Sequence, residues 1–249
     1  MQGEIAAGQP VGASRQWHET PDEPFKKINR LATIATVFVV ACVVLDVFGV
    51  VADLQLVNVL ERAKAGEVVT IEEAEGVDTR VQRIGLAQAA GFLVTAIPFI
   101  LWFRRMYRNL GAAGIRRVRY KPGWAVGGWF VPFLNLARPK AIANDIYRAT
   151  DPSLPPEAEE PPEGARVSSL LNWWWAAFIL SGMLYPSGTT TRNSSIDEFL
   201  FEARRYLVAD TVSIVSGILA ILVIKTLTER LQIRYRIHAT ARPGQAAEA

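Results

Sequence analysis

LATIATVFVVACVVLDVFGVV, residues Leu31–Val51, runs for 21 positions with a single charge, Asp46. A hydrocarbon core about 30 Å thick is crossed by roughly 20 apolar residues of helix, each rising about 1.5 Å. Three more stretches meet that length: Ile84–Phe103 with no charge, Val167–Tyr185 with none, and Leu207–Ile224 with one, Asp210. Helices of a soluble bundle carry a polar stripe at helical spacing. These runs carry almost none, so the sequence predicts spans at 31–51, 84–103, 167–185 and 207–224.

The whole chain agrees with that reading. Half of its 249 residues are hydrophobic and 20% are charged, with a mean hydropathy of +0.17. The clustering of apolar residues excludes a disordered or fibrous chain. One cysteine, Cys42, excludes a disulfide framework and a cysteine-rich metal site. The first run is read as a retained span and not a signal peptide, because 30 mixed residues precede it.

Lysine and arginine set the orientation. Residues 1–30 carry four, 104–166 eleven and the tail from Lys225 five, against four in 52–83 and three in 186–206. The positive-inside rule therefore places both termini and the 104–166 segment in the cytoplasm. The 52–83 loop holds seven acids, Asp53 among them, as suits an external loop. Thr70 with Glu73, and Ser195 with Glu198, have capping-box spacing, and Gly66 can close a helix before them. Residues 153–165, with four prolines and four glutamates, have the composition of a flexible, solvated linker. The expected organisation is a flexible cytoplasmic tail (1–29), a membrane domain (30–230) and a cytoplasmic C-terminal tail (231–249).

The segment between the second span and that linker stands apart. Arg104, Arg105, Arg108, Arg116, Arg117, Arg119 and Lys121 form a basic stretch without an acid. Each such charge beside a bilayer attracts anionic headgroups by about 1 kcal/mol, although the same charges also serve to fix topology. Gly123–Ala137 follows, apolar but too short to cross and broken by Gly127, Gly128 and Pro132. That composition reads as a re-entrant or interfacial piece. Within it, Trp124, Trp129 and Phe130 suit the headgroup zone, and Gly123 and Gly127 permit close helix approach. Pro139 opens a short helix ending near Thr150, with Ile142 and Ile146 on one face and Asp145 and Arg148 able to pair on another. It has the pattern of an amphipathic helix lying on the inner surface. Residues 104–152 thus form a cytoplasmic platform.

WFRRMYRNL (102–110), YKPGWAVGGWFVPFLNLARP (120–139) and DIYRATDP (145–152) carry a resemblance. With the spans in matching order, the chain resembles the bacterial membrane proteins catalogued as domain of unknown function 4328. The resemblance implies a four-span membrane domain over residues 30–230, in a bacterial cell membrane, and supplies no catalytic residue. It directs attention to Pro122, Gly123, Trp124, Gly127, Trp129, Phe130, Pro132, Asn135, Arg138 and Pro139 as an interfacial motif.

Asp46, Gln88 and Asp210 each lie about 8 Å from the middle of their spans, on the external side. Three helices thus place polar groups at similar depth, facing the bundle interior. Two readings stand: a cation or proton site open to the outside, or a structural hydrogen-bond cluster. Ala87/Gly91 and Ser213/Gly217 have small-residue spacing for helix contacts. No metalloprotease, phosphate-loop, serine-hydrolase or CxxC motif occurs, and His18 and His238 lie near the two ends. The sequence therefore points to no catalytic, cofactor or metal residues. The expectation is an all-α, four-span, non-enzymatic scaffold that binds anionic lipid, a protein partner or a second copy through its platform, and not nucleic acid. The alternative is a small transporter or channel component using Asp46, Gln88 and Asp210.

Overall fold

A computed structural model describes residues 17–21, 23–162, 164–185 and 194–241. Its elements are β1 (His18–Glu19), α1 (Asn29–Lys64), α2 (Ile71–Arg108), β2 (Arg117–Val118), α3 (Trp124–Gly127), a 3₁₀ turn (Leu134–Leu136), α4 (Arg138–Ala149), α5 (Ser169–Leu184) and α6 (Ile196–Ala241). Helices α1, α2 and α6 are long and apolar enough to cross a membrane; α5 is apolar but shorter.

Local chemistry sets the helix ends. The N–H of Gly66 bonds to Ala63 O at 3.1 Å and that of Glu67 to Arg62 O at 3.0 Å, with Gly66 at φ +83°. Glycine takes that left-handed turn without the Cβ penalty other residues meet. Thr70 then caps α2, its hydroxyl accepting from the Glu73 N–H at 3.1 Å. Ser195 and Glu198 cap α6 reciprocally, at 2.9 and 3.3 Å. Both capping pairs stand where spacing placed them.

Helix α1 packs between α2 and α6, and α5 packs on α6. Ion pairs Lys64–Asp197 (2.5 Å) and Arg204–Glu61 (2.9 Å) bring the end of α1 beside the start of α6, which defines the turn end of the bundle. Opposite lies a folded cap. There Trp102, Tyr107, Leu110, Ile142, Ile146 and Leu231 are fully buried. Along the bundle the pattern reverses: Val37, Phe48, Phe92, Leu93, Ile218 and Leu222 stand exposed. The main core sits at the cap end, with smaller buried contacts such as Val59 and Leu200 toward the turn end, and the wide apolar surface between is of the kind that suits lipid.

Four sequence expectations meet a different arrangement. The third run forms a helix of 16 residues, because Ser168 caps its start and Tyr185 turns extended (ψ 125°) at its end. At about 1.5 Å per residue it reaches roughly 24 Å. Helix α4 does not lie open on a surface: Ile142, Ala143, Ile146 and Ala149 are 0% exposed, packed inside the cap. Residues 153–165 read as a free linker, yet the buried Arg234 guanidinium donates to the carbonyls of Leu154 and Pro155 (both 2.9 Å), Pro156 (3.4 Å) and Ala158 (3.2 Å). Burial pulls the Arg234 guanidinium below its ordinary value, and nearby Glu157 pushes back. Residues 17–28 are likewise docked. His18 and Glu19 pair antiparallel with Val118 and Arg117, and Phe25 stacks on Tyr235 at 4.0 Å. The rest of the N-terminal tail and residues 242–249 lie outside the described residues.

Candidate functional site

The interfacial motif is a rigid base carrying an exposed tip. Pro122 and Gly123 lead into one helical turn, with Trp124 N–H on Lys121 O (2.9 Å) and Gly127 N–H on Gly123 O (2.9 Å). The Trp129 ring stands edge-on to Phe99 (5.6 Å), Phe103 (5.8 Å) and Phe178 (6.2 Å), tying the segment to α2 and α5. Trp175 Nε1 donates to Leu136 O at 3.0 Å. The Arg138 guanidinium covers the rings of Tyr120 (4.2 Å) and Trp124 (4.9 Å), and Pro139 is buried in the first turn of α4. Between these anchors the chain turns outward: Phe130 is 70% and Phe133 87% exposed. Pro132 and Asn135 make backbone bonds within this turn.

Some expected roles shift. Trp124 and Trp129 are half-buried supports, and only Phe130 of that trio is exposed. Close approach falls on a different glycine. A Cβ on Gly123 meets nothing within 4 Å and one on Gly127 only Trp124 at 3.8 Å, whereas one on Gly128 comes within 2.8 Å of Trp124 O and 2.9 Å of Arg138 Cγ.

The seven basic residues divide into two sets. Arg108 pairs with Glu23, Arg116 with Glu159 (3.8 Å) and Arg117 with Glu160 (2.7 Å). Lys26 and Arg108 hold the Glu23 carboxyl below its usual range. Arg104, Arg105, Arg119 and Lys121 make no ion pair among the described residues, and of these only Arg105 is half-buried. Asp145 and Arg148 pair as their spacing suggested, at 3.9 Å. Lys140 bonds to Asn144 (2.6 Å) and across to Asn172 of α5 (2.8 Å). Burial first, then Arg148, pushes the Lys140 ammonium down to about 8.

A second constellation assembles inside the bundle. Asp46, Gln88 and Asp210, from α1, α2 and α6, come together: Gln88 Nε2 donates to Asp46 Oδ1 at 3.1 Å and to Asp210 Oδ2 at 3.0 Å. Ser213 Oγ bonds to Asp46 Oδ2 at 2.7 Å, and Tyr185 OH to Asp210 Oδ1 at 2.6 Å. Asp46 is 7% and Asp210 3% exposed.

With this geometry in place, the chain can be set against known proteins. The pattern of one family, described as Domain of unknown function (DUF4328), matches residues 65–229. The chain belongs to that family. No curated protein and no solved structure matches it. The DUF4328 match takes in the interfacial motif, Gln88 and Asp210, and begins just after α1. Asp46 therefore lies on a helix outside the matched region.

Sequence reading of this DUF4328 chain missed three members of the polar constellation. Tyr185 closes the third apolar run and gave no sign of reaching Asp210. Asp53 was counted as a loop acid because it follows the apolar run, yet α1 continues through it and it is 3% exposed. Gly49 leaves the space in which the carboxylates sit: a Cβ there comes 1.9 Å from Asp210 Oδ2 and 2.7 Å from Gln88 Nε2. Its spacing, three residues after Asp46, was the available signal. The glycines of the small-residue pairs do mark close approaches, since a Cβ on Gly91 would come 3.0 Å from Leu45 Cδ1 and one on Gly217 2.4 Å from Val43 Cγ2. Gly49→Ala is expected to lower stability by about 1–3 kcal/mol through overpacking. Gly76→Ala, with nothing within 4 Å of its Cβ, is expected to raise it by up to about 1 kcal/mol through helix propensity. Thermal unfolding of the full chain in one detergent compares the two.

Proposed function

We propose that this DUF4328 protein crosses a bacterial cell membrane four times, with both termini in the cytoplasm, and acts as a non-enzymatic scaffold whose cap binds anionic lipid at the inner leaflet. The observation that carries the reading is the exposed tip, Phe130 at 70% and Phe133 at 87%, set on a Trp129 base that contacts Phe99 and Phe103. Those two rings end the apolar stretch of α2, so the tip continues the apolar surface of the bundle at its cap end. Phe133 also holds φ +63°, a conformation that costs a non-glycine residue about 1–3 kcal/mol and is retained where the surroundings impose it. The unpaired Arg104, Arg119 and Lys121 supply charge complementary to anionic headgroups.

Four passages are supported by connectivity. Helix α5 starts beside the cap, through Lys140–Asn172, and α6 starts at the turn end, through Lys64–Asp197. The chain therefore runs the length of the bundle between them. The excess of lysine and arginine on the cap side, eighteen against six among the described residues, supports a cytoplasmic cap.

Native mass spectrometry of the full chain, titrated with phosphatidylglycerol, tests the lipid assignment. Arg104→Gln and Lys121→Gln are each expected to weaken retention by about 1 kcal/mol, roughly fivefold. Arg117→Gln, whose guanidinium Glu160 already occupies, is expected to change it less. Equal effects at all three positions, or no preference for phosphatidylglycerol over phosphatidylcholine, would remove the assignment. Retention of a second copy or another protein in place of lipid would point to a protein scaffold.

A further inference from the structure

The Asp46–Gln88–Asp210 constellation lies inside the bundle, and lipid binding at the cap does not require it. Two carboxylates are buried within reach of one amide nitrogen, with no lysine, arginine or histidine bonded to either among the described residues. Side by side in a low-dielectric interior, two unpaired negative charges are strongly disfavoured, and binding one proton between them relieves the repulsion.

The groups around the pair can be named element by element. From α1 come Cys42, bonded to Thr95 Oγ1 at 3.1 Å, and Asp53. Helix α2 contributes Gln88 and α5 contributes Tyr185. From α6 come Ser213, Tyr206, Glu202 and Arg205; the arginine lies 3.9 Å from Glu202 and donates to Leu184 O at 3.4 Å. The only base of this set is therefore engaged elsewhere.

Two observations identify the ligand. Each of the four oxygens of Asp46 and Asp210 accepts one hydrogen bond from this chain and keeps a further lone pair that a proton can fill without rearrangement, whereas a metal cation calls for a larger cage of oxygen ligands. No group of three or more His, Cys, Asp and Glu side chains among the described residues is placed to hold a metal ion. A third buried carboxylate, Asp53, lies next to the pair on the turn-end side. It is 3% exposed, its Oδ2 has no hydrogen-bond partner among the described residues, and it lies one helical turn beyond Gly49, the residue that faces Asp210 Oδ2.

We propose that Asp46 and Asp210 form a single-proton binding site, loaded and emptied from the turn end of the bundle by way of Asp53. On loading, a proton from water passes to Asp53 and then to one carboxylate oxygen of the pair, forming an O–H bond; on emptying it returns to water by the same route. No electrons move. The site is a dead end. Toward the turn end the same helix faces carry Asp53 on α1, four residues past Gly49, and Tyr206 and Glu202 on α6, four and eight residues before Asp210, whereas beyond Cys42 and Thr95 the bundle closes on Val39, Ala35, Leu227 and Trp102, all buried. That arrangement fits proton binding and not proton passage.

Infrared spectroscopy of the full chain in phosphatidylcholine–phosphatidylglycerol liposomes tests this. At neutral pH the wild type is expected to show the C=O band of a protonated carboxylic acid, shifted in heavy water and retained in Asp53→Asn. Asp46→Asn and Asp210→Asn are each expected to abolish it, and Asp78→Asn, at an exposed position of α2, to leave it intact. Tyr185→Phe removes one donor to Asp210 and is expected to shift the band while keeping it, which serves if the asparagine variants fail to fold. A wild type without the band at neutral pH, or a band indifferent to Asp46→Asn, Asp210→Asn and Tyr185→Phe, overturns the proposal. So does a band that emerges only when sodium is withdrawn, since the ligand would then be a metal cation.

Discussion

Arg234→Met is expected to release residues 153–162 from the cap and to cost roughly 2–5 kcal/mol, since it removes charge-assisted hydrogen bonds and leaves neutral carbonyls buried without a donor. The side chain is 0% exposed and donates to four backbone carbonyls of that segment. A proline-rich stretch has few backbone N–H donors of its own, and a carbonyl left buried without a donor costs about 1–3 kcal/mol; Pro155 O keeps the Ala158 N–H at 3.0 Å and Pro156 O lies 3.1 Å from His238 Nδ1, so the loss falls first on Leu154 and Ala158. Methionine matches much of the volume and supplies no donor, so the loss reads the hydrogen bonds more than the packing. Limited proteolysis of the full chain checks the outcome, with new cuts expected between Ser153 and Pro162. Glu160 and Arg117 hold the same segment from outside at 2.7 Å, and breaking that exposed pair is expected to cost under about 1 kcal/mol. If Arg234→Met leaves both proteolysis and unfolding unchanged, the segment is held by something other than this side chain.

Trp102→Ala is expected to lower stability by about 3–5 kcal/mol. The indole is 0% exposed at the junction of bundle and cap, packs against Phe99 and Phe103, and donates from Nε1 to Thr228 Oγ1 of α6 at 3.0 Å. Truncation opens a cavity and leaves the Thr228 hydroxyl without that donor. Trp102→Phe keeps much of the ring volume and is expected to lose distinctly less. Trp173→Ala, at a residue 68% exposed, is expected to stay within about 0.5 kcal/mol. Chemical unfolding of the three variants in one detergent separates them. Equal losses at Trp102 and Trp173 would contradict a core seated in the cap.

Features governed by near neighbours were legible before the structure. Thr70, Ser195 and Gly66 act within one helical turn, so their spacing was enough to place helix ends. The depths of Asp46, Gln88 and Asp210 follow from helical rise, so their convergence could be anticipated from three separate runs. Amphipathicity in 138–149 was visible in Ile142 and Ile146, but periodicity identifies a face without naming what covers it. Here protein covers it. The basic stretch was equally visible, but Glu23, Glu159 and Glu160 decide which arginines remain unpaired, and those acids come from both of its flanks.

By itself, then, the sequence determined the long apolar helices, their capped ends, the family and the level of the buried polar residues, because each depends on local spacing or on a count of residues. Only tertiary structure decided that α5 stops at 16 residues, that a proline-rich strap closes over Arg234, that Gly49 makes room for two carboxylates and that Phe133 faces outward. Those outcomes depend on which distant side chains meet, and on whether a buried charge or carbonyl finds its partner. No periodicity along one chain encodes such meetings.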